Sequence, residues 1–417
     1  MSDFNKNVIT LFSGNLLAQV IPFIVGPILT RLFTPEDFGL FALYMSVFSI
    51  IGILATGRYE LAIILPKEEN KAWNLVALSI SLSVIFSSMT FFGMLIFGTD
   101  LASLLGNDKV KDYLFLVPLA VFLVGLYQSL HYYLNRIRKF KTMSLVRVIQ
   151  SGFTNIISLF LGWKALGALG LIIGSLFGQL IACFYLVRKV LGLKKEASPQ
   201  ITPAAMIAMG KRYQDFLKFD SVASVANVAS HQVIHILFNS LFSSVVAGHF
   251  FLVQKMLGTP LFLLAGSVLD VFKERAAKEY KEVGHAKETF LSTLKKLFLL
   301  SSAPSIILFF FGKPIFALIF GVNWAVAGEY AQLLSPMLFF RFMANPLSFM
   351  LIIGEQQKIN MLTNMMLLIF VVLSFYAGNK PKEVIIYISV SFSITYILHL
   401  IISAWIAGVF KDHSTAL

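Results

Sequence analysis

LTRLFTPEDFGLFALYMSVFSIIGILATGRYELAIIL, residues 29–65, contains the end of one apolar segment, a polar turn and a second apolar segment. A helix needs about 20 apolar residues to cross a bilayer, and both segments approach that length. The second segment ends on Arg58 and Glu60, two charges set in apolar sequence. The stretch therefore predicts two consecutive membrane spans joined by a tight turn.

Part of this stretch recurs 209 positions later in the chain. Five residues are identical at that offset: Leu32, Phe33, Gly39, Phe41 and Leu43 match Leu241, Phe242, Gly248, Phe250 and Leu252. Further matches at offsets of 217–219 pair Tyr113, Pro118 and Lys139 with Tyr330, Pro336 and Lys358. Because 209 is close to half of 417 residues, we interpret the pattern as a duplication of the whole chain.

The composition is that of a membrane protein. Hydrophobic residues make up 57% of the chain, charged residues 13%, and the mean hydropathy is +0.80, whereas soluble chains carry about 25% charged residues. Twelve apolar runs lie at about 8–30, 38–57, 73–97, 113–134, 143–163, 167–187, 216–240, 246–272, 289–311, 329–353, 359–377 and 384–410. The sequence therefore predicts an all-α polytopic membrane protein with twelve transmembrane helices. Because each half has an even number of spans, six, both halves have the same orientation in the membrane. The helices are therefore expected to form two parallel-repeat six-helix lobes around a central cavity.

Lysine and arginine are distributed unevenly between the two sides of this predicted topology. If both termini lie on one side, 24 of the 34 residues fall on that side, seven on the other and three inside spans. Because cytoplasmic loops are enriched in Lys and Arg, both termini are expected to be cytoplasmic. The same bias accounts for much of the net charge of +13 without a nucleic-acid partner.

The longest charged linker, residues 188–218, lies at the midpoint of the chain. It separates a predicted N-lobe of residues 1–190 and a C-lobe of residues 216–417, with residues 191–215 as a cytoplasmic linker. We interpret residues 203–218 either as a short helix on the inner leaflet, where basic side chains meet anionic lipid, or as a solvated tether.

Residues 29–43, LTRLFTPEDFGLFAL, and residues 57–66, GRYELAIILP, resemble the bacterial lipid-linked oligosaccharide flippases that export O-antigen and capsule repeat units. The similarity is most specific over residues 8–80. These flippases belong to the multidrug/oligosaccharidyl-lipid/polysaccharide exporter superfamily. The resemblance implies two six-helix lobes around a lumen that opens alternately to each side. It also implies an undecaprenyl-diphosphate-linked oligosaccharide as the substrate, moved from the inner to the outer leaflet.

Cations inside the predicted spans are candidate contacts for the diphosphate of such a substrate. An ionisable residue at mid-span costs about 2.5–3.5 kcal/mol on insertion scales, so each is a functional hypothesis by default. Lys255 and Arg341 lie well inside spans eight and ten, and each is either a substrate contact or a structural partner of another group. Arg147 lies near the inner end of span five, where snorkelling to lipid headgroups competes with a substrate contact.

Arg58 and Glu60 end span two near the predicted inner face. Because a spacing of two does not place two residues on one helical face, each is expected to have a separate partner. Each of the two residues is either an entrance contact for the substrate or a member of a structural ion pair.

Span seven is the most polar of the twelve. Asp220, Ser224, Asn227, His231 and His235 follow a three-or-four spacing, which places them on one stripe of a helix. A stripe of this kind lines a water-filled cavity or seals a helix–helix contact with hydrogen bonds. In the first interpretation, Asn227 and His231 are substrate contacts, and Asp220, His231 and His235 are candidates for ion coupling.

The sequence predicts a transporter rather than an enzyme. It contains no metal-ligand spacing, phosphate-binding loop or nucleophile elbow, so we expect no catalytic residue, metal or cofactor. The predicted function is flipping of lipid-linked repeat units across the bacterial cytoplasmic (inner) membrane for O-antigen, lipopolysaccharide or capsule biosynthesis. Membrane lipids and other polysaccharide-assembly membrane proteins are the expected partners. The alternatives are a cation-coupled multidrug exporter on the same scaffold, which basic residues inside spans disfavour, and a membrane polymerase or ligase, which short outer loops disfavour.

Overall fold

A computed structural model describes residues 3–197 and 199–410 of the protein, and this part of the chain is helical with connecting turns. The α-helices are α1 (Asp3–Leu32), α2 (Pro35–Gly52), α3 (Glu69–Leu104), α4 (Lys111–Leu114), α5 (Val117–Arg136), α6 (Phe140–Trp163), α7 (Ala168–Ala197), α8 (Pro203–Arg212), α9 (Ser221–Leu241), α10 (Ser244–Val253), α11 (Thr259–Val283), α12 (Lys287–Phe320), α13 (Ala325–Leu347), α14 (Met350–Ile353), α15 (Gln357–Ala377) and α16 (Pro381–Ile406). The shorter elements are the 3-10 segments Tyr59–Ile64, Asp108–Val110 and Val322–Trp324 and the π-helical segments Phe216–Asp220 and Gln254–Gly258. The predicted all-α class is confirmed.

Within residues 3–197 and 199–410, nine helices are long and apolar enough to cross a membrane. They coincide with nine of the twelve predicted spans. The remaining predicted spans, 38–57, 246–272 and 359–377, also fall on helices. Helix α2 has 18 residues with two acids in its first turn, a π-helical segment interrupts the eighth span, and α15 has 21 residues. The chain is therefore a multi-pass membrane protein.

The chain divides into two compact units, Met1–Phe251 and Leu252–Leu417. The first contains α1 to α9 and most of α10, and the second contains α11 to α16. The boundary lies beyond the predicted linker because α9 packs along α2. The predicted lobe boundaries stay predictions. Residues 1–2 and 411–417, the ends of the chain for which a cytoplasmic location is predicted, lie outside the described part.

The core of the first unit lies where the chain passes from α2 into α3. Its buried side chains include Tyr59, Ile63, Trp73, Leu75, Leu130, Tyr133 and Leu134. The Trp73 and Tyr133 ring centroids are 4.4 Å apart. Because close-packed interiors resist displacement, this core fixes the 3-10 segment against α3 and α5.

The start of α2 is fixed by a capping box at Thr34 and Asp37. The Asp37 backbone N–H donates to Thr34 Oγ1 at 3.2 Å, and the Thr34 N–H donates to Asp37 Oδ2 at 2.8 Å. Two otherwise unsatisfied backbone donors are thereby paired, which is the usual effect of this motif. Helix α2 therefore begins at a defined residue, and this sets which of its residues meet α10.

Helices α2 and α10 approach each other at two glycines. We call Pro35, Gly39, Ser244 and Gly248 the glycine seam. A Cβ on Gly39 would lie 1.8 Å from the Ser244 carbonyl oxygen, and a Cβ on Gly248 would lie 1.8 Å from the Pro35 carbonyl oxygen. The contact is reciprocal, because the repeat offset of 209 relates Pro35 to Ser244 and Gly39 to Gly248. The two copies of the repeat thus meet at equivalent residues, which supports the duplication.

In the second unit, α11, α12, α13 and α16 surround a core of large apolar side chains. Its members include Phe272, Phe290, Leu297, Phe342 and Leu347. An ion triad joins three of these helices, because Glu329 of α13 pairs with Lys313 of α12 and with Lys382 of α16, each at 2.6 Å.

Candidate functional site

The backbone changes direction after α2, and this change positions the charged residues that follow the helix. Helix α2 ends at Gly52, and Gly57 and Arg58 both adopt the left-handed conformation, with φ of 59° and 65°. The 3-10 segment Tyr59–Ile64 follows at once. A non-glycine residue in this conformation is uncommon, and such residues cluster at functional sites.

Arg58, Glu60 and Asp220 form a group that we call the charged cluster. Arg58 Nε donates to Asp220 Oδ2 at 2.6 Å, and Arg58 Nη1 lies 3.3 Å from Glu60 Oε1. The Thr56 hydroxyl donates to the Glu60 carboxylate, and the Ser224 hydroxyl lies 3.4 Å from Asp220 Oδ2. The Glu60 side chain is 1% exposed, whereas the Asp220 side chain is 41% exposed. The cluster therefore joins the end of α2 to the start of α9 through one buried and one accessible carboxylate.

Arg58 and Glu60 do have separate partners, Asp220 and Thr56, as expected. The inference that the two side chains diverge is wrong, because they also contact each other. It assumed α-helical spacing, in which residues two apart diverge. Because Arg58 is left-handed and Glu60 lies in a 3-10 segment, the two side chains meet. Asp220 of the predicted polar stripe joins them, so three predicted site residues come together.

The charged cluster is suited to exchanging ion pairs. A guanidinium carries five N–H donors in a fixed fork and binds carboxylate and phosphate oxygens with the same geometry. Arg58 can therefore replace a carboxylate partner with a phosphate. In the described part of the chain, no group of three or more His, Cys, Asp or Glu side chains is arranged to hold a metal ion.

Arg136, at the end of α5, holds the segment that carries Glu60. Its guanidinium contacts the carbonyl oxygens of Ile63, Ile64, Pro66 and Lys67 and the carboxylate of Glu69. In the sequence, Arg136 is one of the 24 basic residues of the predicted inner side and has no further distinguishing feature. The tertiary fold brings these carbonyl groups to Arg136 from about 70 residues away, and no local pattern in the sequence indicates that.

Arg147 of α6 lies in a second polar group of the first unit. Its Nη1 donates to the Asn15 side-chain oxygen on α1, and its Nη2 lies 3.3 Å from His131 Nε2 on α5. The His131 ring stacks on Tyr127, with centroids 5.3 Å apart. The Arg147 guanidinium of α6 therefore contacts side chains of two other helices, α1 and α5.

The polar stripe on α9 has an exposed part and a buried part. Asn227 and His231 are exposed, whereas His235 is buried. The His235 ring lies 5.5 Å from the Phe250 ring and 5.7 Å from the Phe251 ring. His235 thus contributes to the packing of α9 on α10, and Asn227 and His231 remain accessible.

Lys255 and Arg341 lie in the second unit. Lys255 is part of the π-helical segment Gln254–Gly258, which separates α10 from α11. Such π-helical turns inside helices are frequent at functional sites. Arg341 lies in α13. Their substrate-binding roles stay predictions.

Two asparagines that sequence analysis missed extend the glycine seam. Asn107 Nδ2 donates to Ser244 Oγ, and Ser244 Oγ donates to Asn239 Oδ1, both at 2.6 Å. Asn239 Nδ2 donates to the Leu105 carbonyl oxygen at 2.9 Å. The repeat match between Gly39 and Gly248 is the sequence feature that indicates this region. It does not include Asn107 or Asn239.

The helical architecture of the chain is similar to that of several solved transporter structures. The inward-facing structure of a multidrug resistance MATE family transporter of the MOP superfamily aligns over 97% of this chain and 96% of that one, with a TM-score of 0.69 and 16% identity. Lipid II flippase MurJ, in an inward closed conformation, aligns over 95% of this chain and 87% of that one, with a TM-score of 0.75 and 15% identity. A MOP superfamily transporter from Pyrococcus furiosus aligns over 98% and 97%, with a TM-score of 0.59 and 15% identity. The protein therefore shares the helical fold of these transporters.

The family follows from the sequence match. A family model described as polysaccharide biosynthesis protein matches residues 28–329. The chain belongs to this polysaccharide biosynthesis protein family, and the resemblance seen at residues 29–66 is confirmed. A search of curated proteins gave no match.

Proposed function

We propose that the protein flips undecaprenyl-diphosphate-linked oligosaccharide repeat units from the cytoplasmic to the periplasmic leaflet of the bacterial inner membrane, for O-antigen or capsule biosynthesis. The observation that carries the proposal is the family match over residues 28–329. The fold shared with lipid II flippase MurJ supports it, because that protein is named for moving a lipid-linked precursor.

The substrate requires cations within the membrane, because a diphosphate would otherwise enter hydrocarbon uncompensated. Arg58 and Arg147 in the first unit, and Lys255 and Arg341 in the second, are the proposed phosphate contacts. Arg58 is already held by carboxylates, so the diphosphate would compete with Asp220 for its donors. Asn227 and His231, exposed on α9, are proposed sugar contacts.

Alternating access requires contacts at each end of the transporter that form and break in turn. Helix α2 carries the charged cluster at one end and the glycine seam at the other. We propose that the charged cluster lies on the cytoplasmic side and the seam on the periplasmic side. The distribution of Lys and Arg supports this orientation, because the side that includes Arg58 contains 24 of the 34 cations.

Reconstitution into vesicles with a fluorescent undecaprenyl-diphosphate oligosaccharide tests the proposal. A membrane-impermeant reductant then reports how fast the label exchanges between leaflets. We expect exchange well above that of protein-free vesicles, reduced at least about tenfold in Lys255→Ala and Arg341→Ala, because a charge-assisted hydrogen bond contributes about 1.5–3 kcal/mol. Lys278→Ala, an exposed lysine of the second unit, is the matched control. Exchange no faster than in protein-free vesicles would contradict the proposal, and movement of an organic cation instead would favour a multidrug exporter.

A further inference from the structure

The linker between α7 and α9 contains a helix that is fixed to the first unit. Helix α8 packs beside the first turns of α3, where Asn74 Nδ2 donates to the Gln200 carbonyl oxygen at 2.9 Å and Asn74 Oδ1 accepts from the Thr202 N–H at 3.1 Å. The Tyr59 hydroxyl donates to the Gly210 carbonyl oxygen at 3.0 Å, and Met209 is buried. These contacts exclude the interpretation of α8 as a solvated tether.

The opposite side of α8, which we call the linker face, is exposed and mostly apolar. It consists of Pro203, Ala204, Ile207, Ala208, Lys211 and Arg212, all exposed. They form three adjacent pairs that repeat every four residues, which places them on one face of a helix. Ile207 is 60% exposed, and α8 contains no acid. A helix face in water normally carries polar residues along its length, whereas this one carries them only at its C-terminal end.

The chain beyond α8 has one exposed acid, Asp215, and then returns to apolar and basic residues. Leu217 and Phe219 are exposed large apolar residues, and Lys218 lies exposed between them. This segment leads directly into α9, a candidate membrane span, and α8 itself lies against the start of another, α3. The linker face therefore lies at the boundary where spans enter the membrane.

We propose that the linker face and Lys218 bind the headgroups of anionic phospholipids. Ile207 and Phe219 enter the boundary of the acyl chains, and Lys211, Arg212 and Lys218 pair with the phosphates. An amphipathic surface with apolar and basic residues matches both parts of a phospholipid leaflet. Each cation near such a surface strengthens the attraction about fivefold. A partner of this chemistry explains both the exposed apolar residues and the absence of acids on α8. The proposal does not depend on the identity of the transported substrate.

A nitroxide label at residue 207 tests this in the full-length protein. The variant is Ile207→Cys in a Cys183→Ala background, placed in phosphatidylcholine vesicles with or without phosphatidylglycerol. We expect phosphatidylglycerol to raise the accessibility of the label to oxygen and to lower its accessibility to a water-soluble nickel chelate. The ratio of oxygen accessibility to chelate accessibility should rise about fivefold. High salt should reverse the effect, since it screens charges near the surface.

Charge variants make the test specific. Lys211→Gln/Arg212→Gln/Lys218→Gln should abolish the response to phosphatidylglycerol. Arg275→Gln/Lys278→Gln/Lys281→Gln, which removes two lysines and one arginine from exposed positions of α11, should retain it. A label equally accessible to the chelate in both lipids would overturn the proposal. So would the same shift produced in pure phosphatidylcholine by a lipid-linked diphosphate, because the face would then belong to the substrate.

Discussion

The two ends of α2 contact the second copy of the repeat by opposite means. At its start, the glycine seam places Gly39 against the Ser244 carbonyl oxygen, a contact that exists because a side chain is missing. Beyond its last turn, the charged cluster joins Arg58 to Asp220 through a hydrogen-bonded ion pair. The seam depends on shape and the cluster on charge.

This difference predicts how each contact responds to change. A backbone contact as close as the seam tolerates no added atom, so substitutions there have all-or-none effects. An ion pair with one accessible carboxylate can exchange partners with water, salt or a ligand, so its strength is graded. One end of α2 is thus suited to a contact that is either fully formed or fully broken, and the other to release by a charged substrate.

The largest effect is expected from Arg58→Ala. This variant leaves the Glu60 carboxylate, 1% exposed, without its cation. Loss of one partner of a buried ion pair typically destabilises a protein by about 3–5 kcal/mol. Thermal unfolding of the detergent-solubilised protein, followed by the loss of its monodisperse elution peak, measures the change.

The control for Arg58→Ala is Arg138→Ala, because Arg138 is also left-handed, with φ of 57°, but has an exposed side chain. We expect this variant to unfold like the wild type. Arg58→Ala/Glu60→Gln should recover much of the lost stability, since it removes the buried charge as well. If the double variant is as unstable as Arg58→Ala, the charged cluster is not what stabilises this end of α2.

The next largest effect is expected from Gly39→Ala. The new Cβ would overlap the Ser244 carbonyl oxygen, and overpacking of this kind costs about 1–3 kcal/mol. Because the seam is reciprocal, Gly248→Ala should have an effect of equal size. Thermal unfolding of the detergent-solubilised protein, followed as for Arg58→Ala, measures both.

Gly93→Ala is the matched control for the seam. Gly93 also lies in a helix of the first unit, and a Cβ there would meet no atom within 4 Å. Alanine is intrinsically better than glycine in a helix, so this variant should be neutral or slightly stabilising. Unequal effects of Gly39→Ala and Gly248→Ala would show that the two copies of the repeat do not contribute equally to the seam.

The sequence predicts the two ends of α2 to different degrees. The spans were located because hydrocarbon thickness imposes about 20 apolar residues on each helix. The repeat pointed to Gly39 and Gly248, although it did not indicate that they touch. The pairing of Arg58 with Glu60 was mispredicted, because it depends on left-handed backbone at Gly57 and Arg58. The docking of α8 likewise depends on Asn74, which binds a segment about 126 residues away in the chain.

A smaller effect is expected from Asp220→Asn. The Asp220 carboxylate is 41% exposed, so water replaces part of what the ion pair provides, and the stability change should be about 1 kcal/mol or less. If Asp220 couples transport to an ion gradient, the variant should also lose any response of leaflet exchange to that gradient. Wild-type exchange that is indifferent to proton and sodium gradients would remove Asp220 and His231 as coupling residues.

The smallest effect is expected from Lys109→Gln, beside the glycine seam. Lys109 pairs with Glu36 at 2.6 Å, and both side chains are well exposed. The hydrogen bond from Lys109 to Glu36 raises the pKa of Lys109 above its usual value. The contribution of the Lys109 positive charge is therefore fully present below about pH 10.4 and is lost only as the pH rises through the raised pKa. Leaflet exchange of Lys109→Gln should match the wild type from pH 5 to 9, because shape rather than charge holds the seam. A large loss of exchange in that range would mean that charge stabilises both ends of α2.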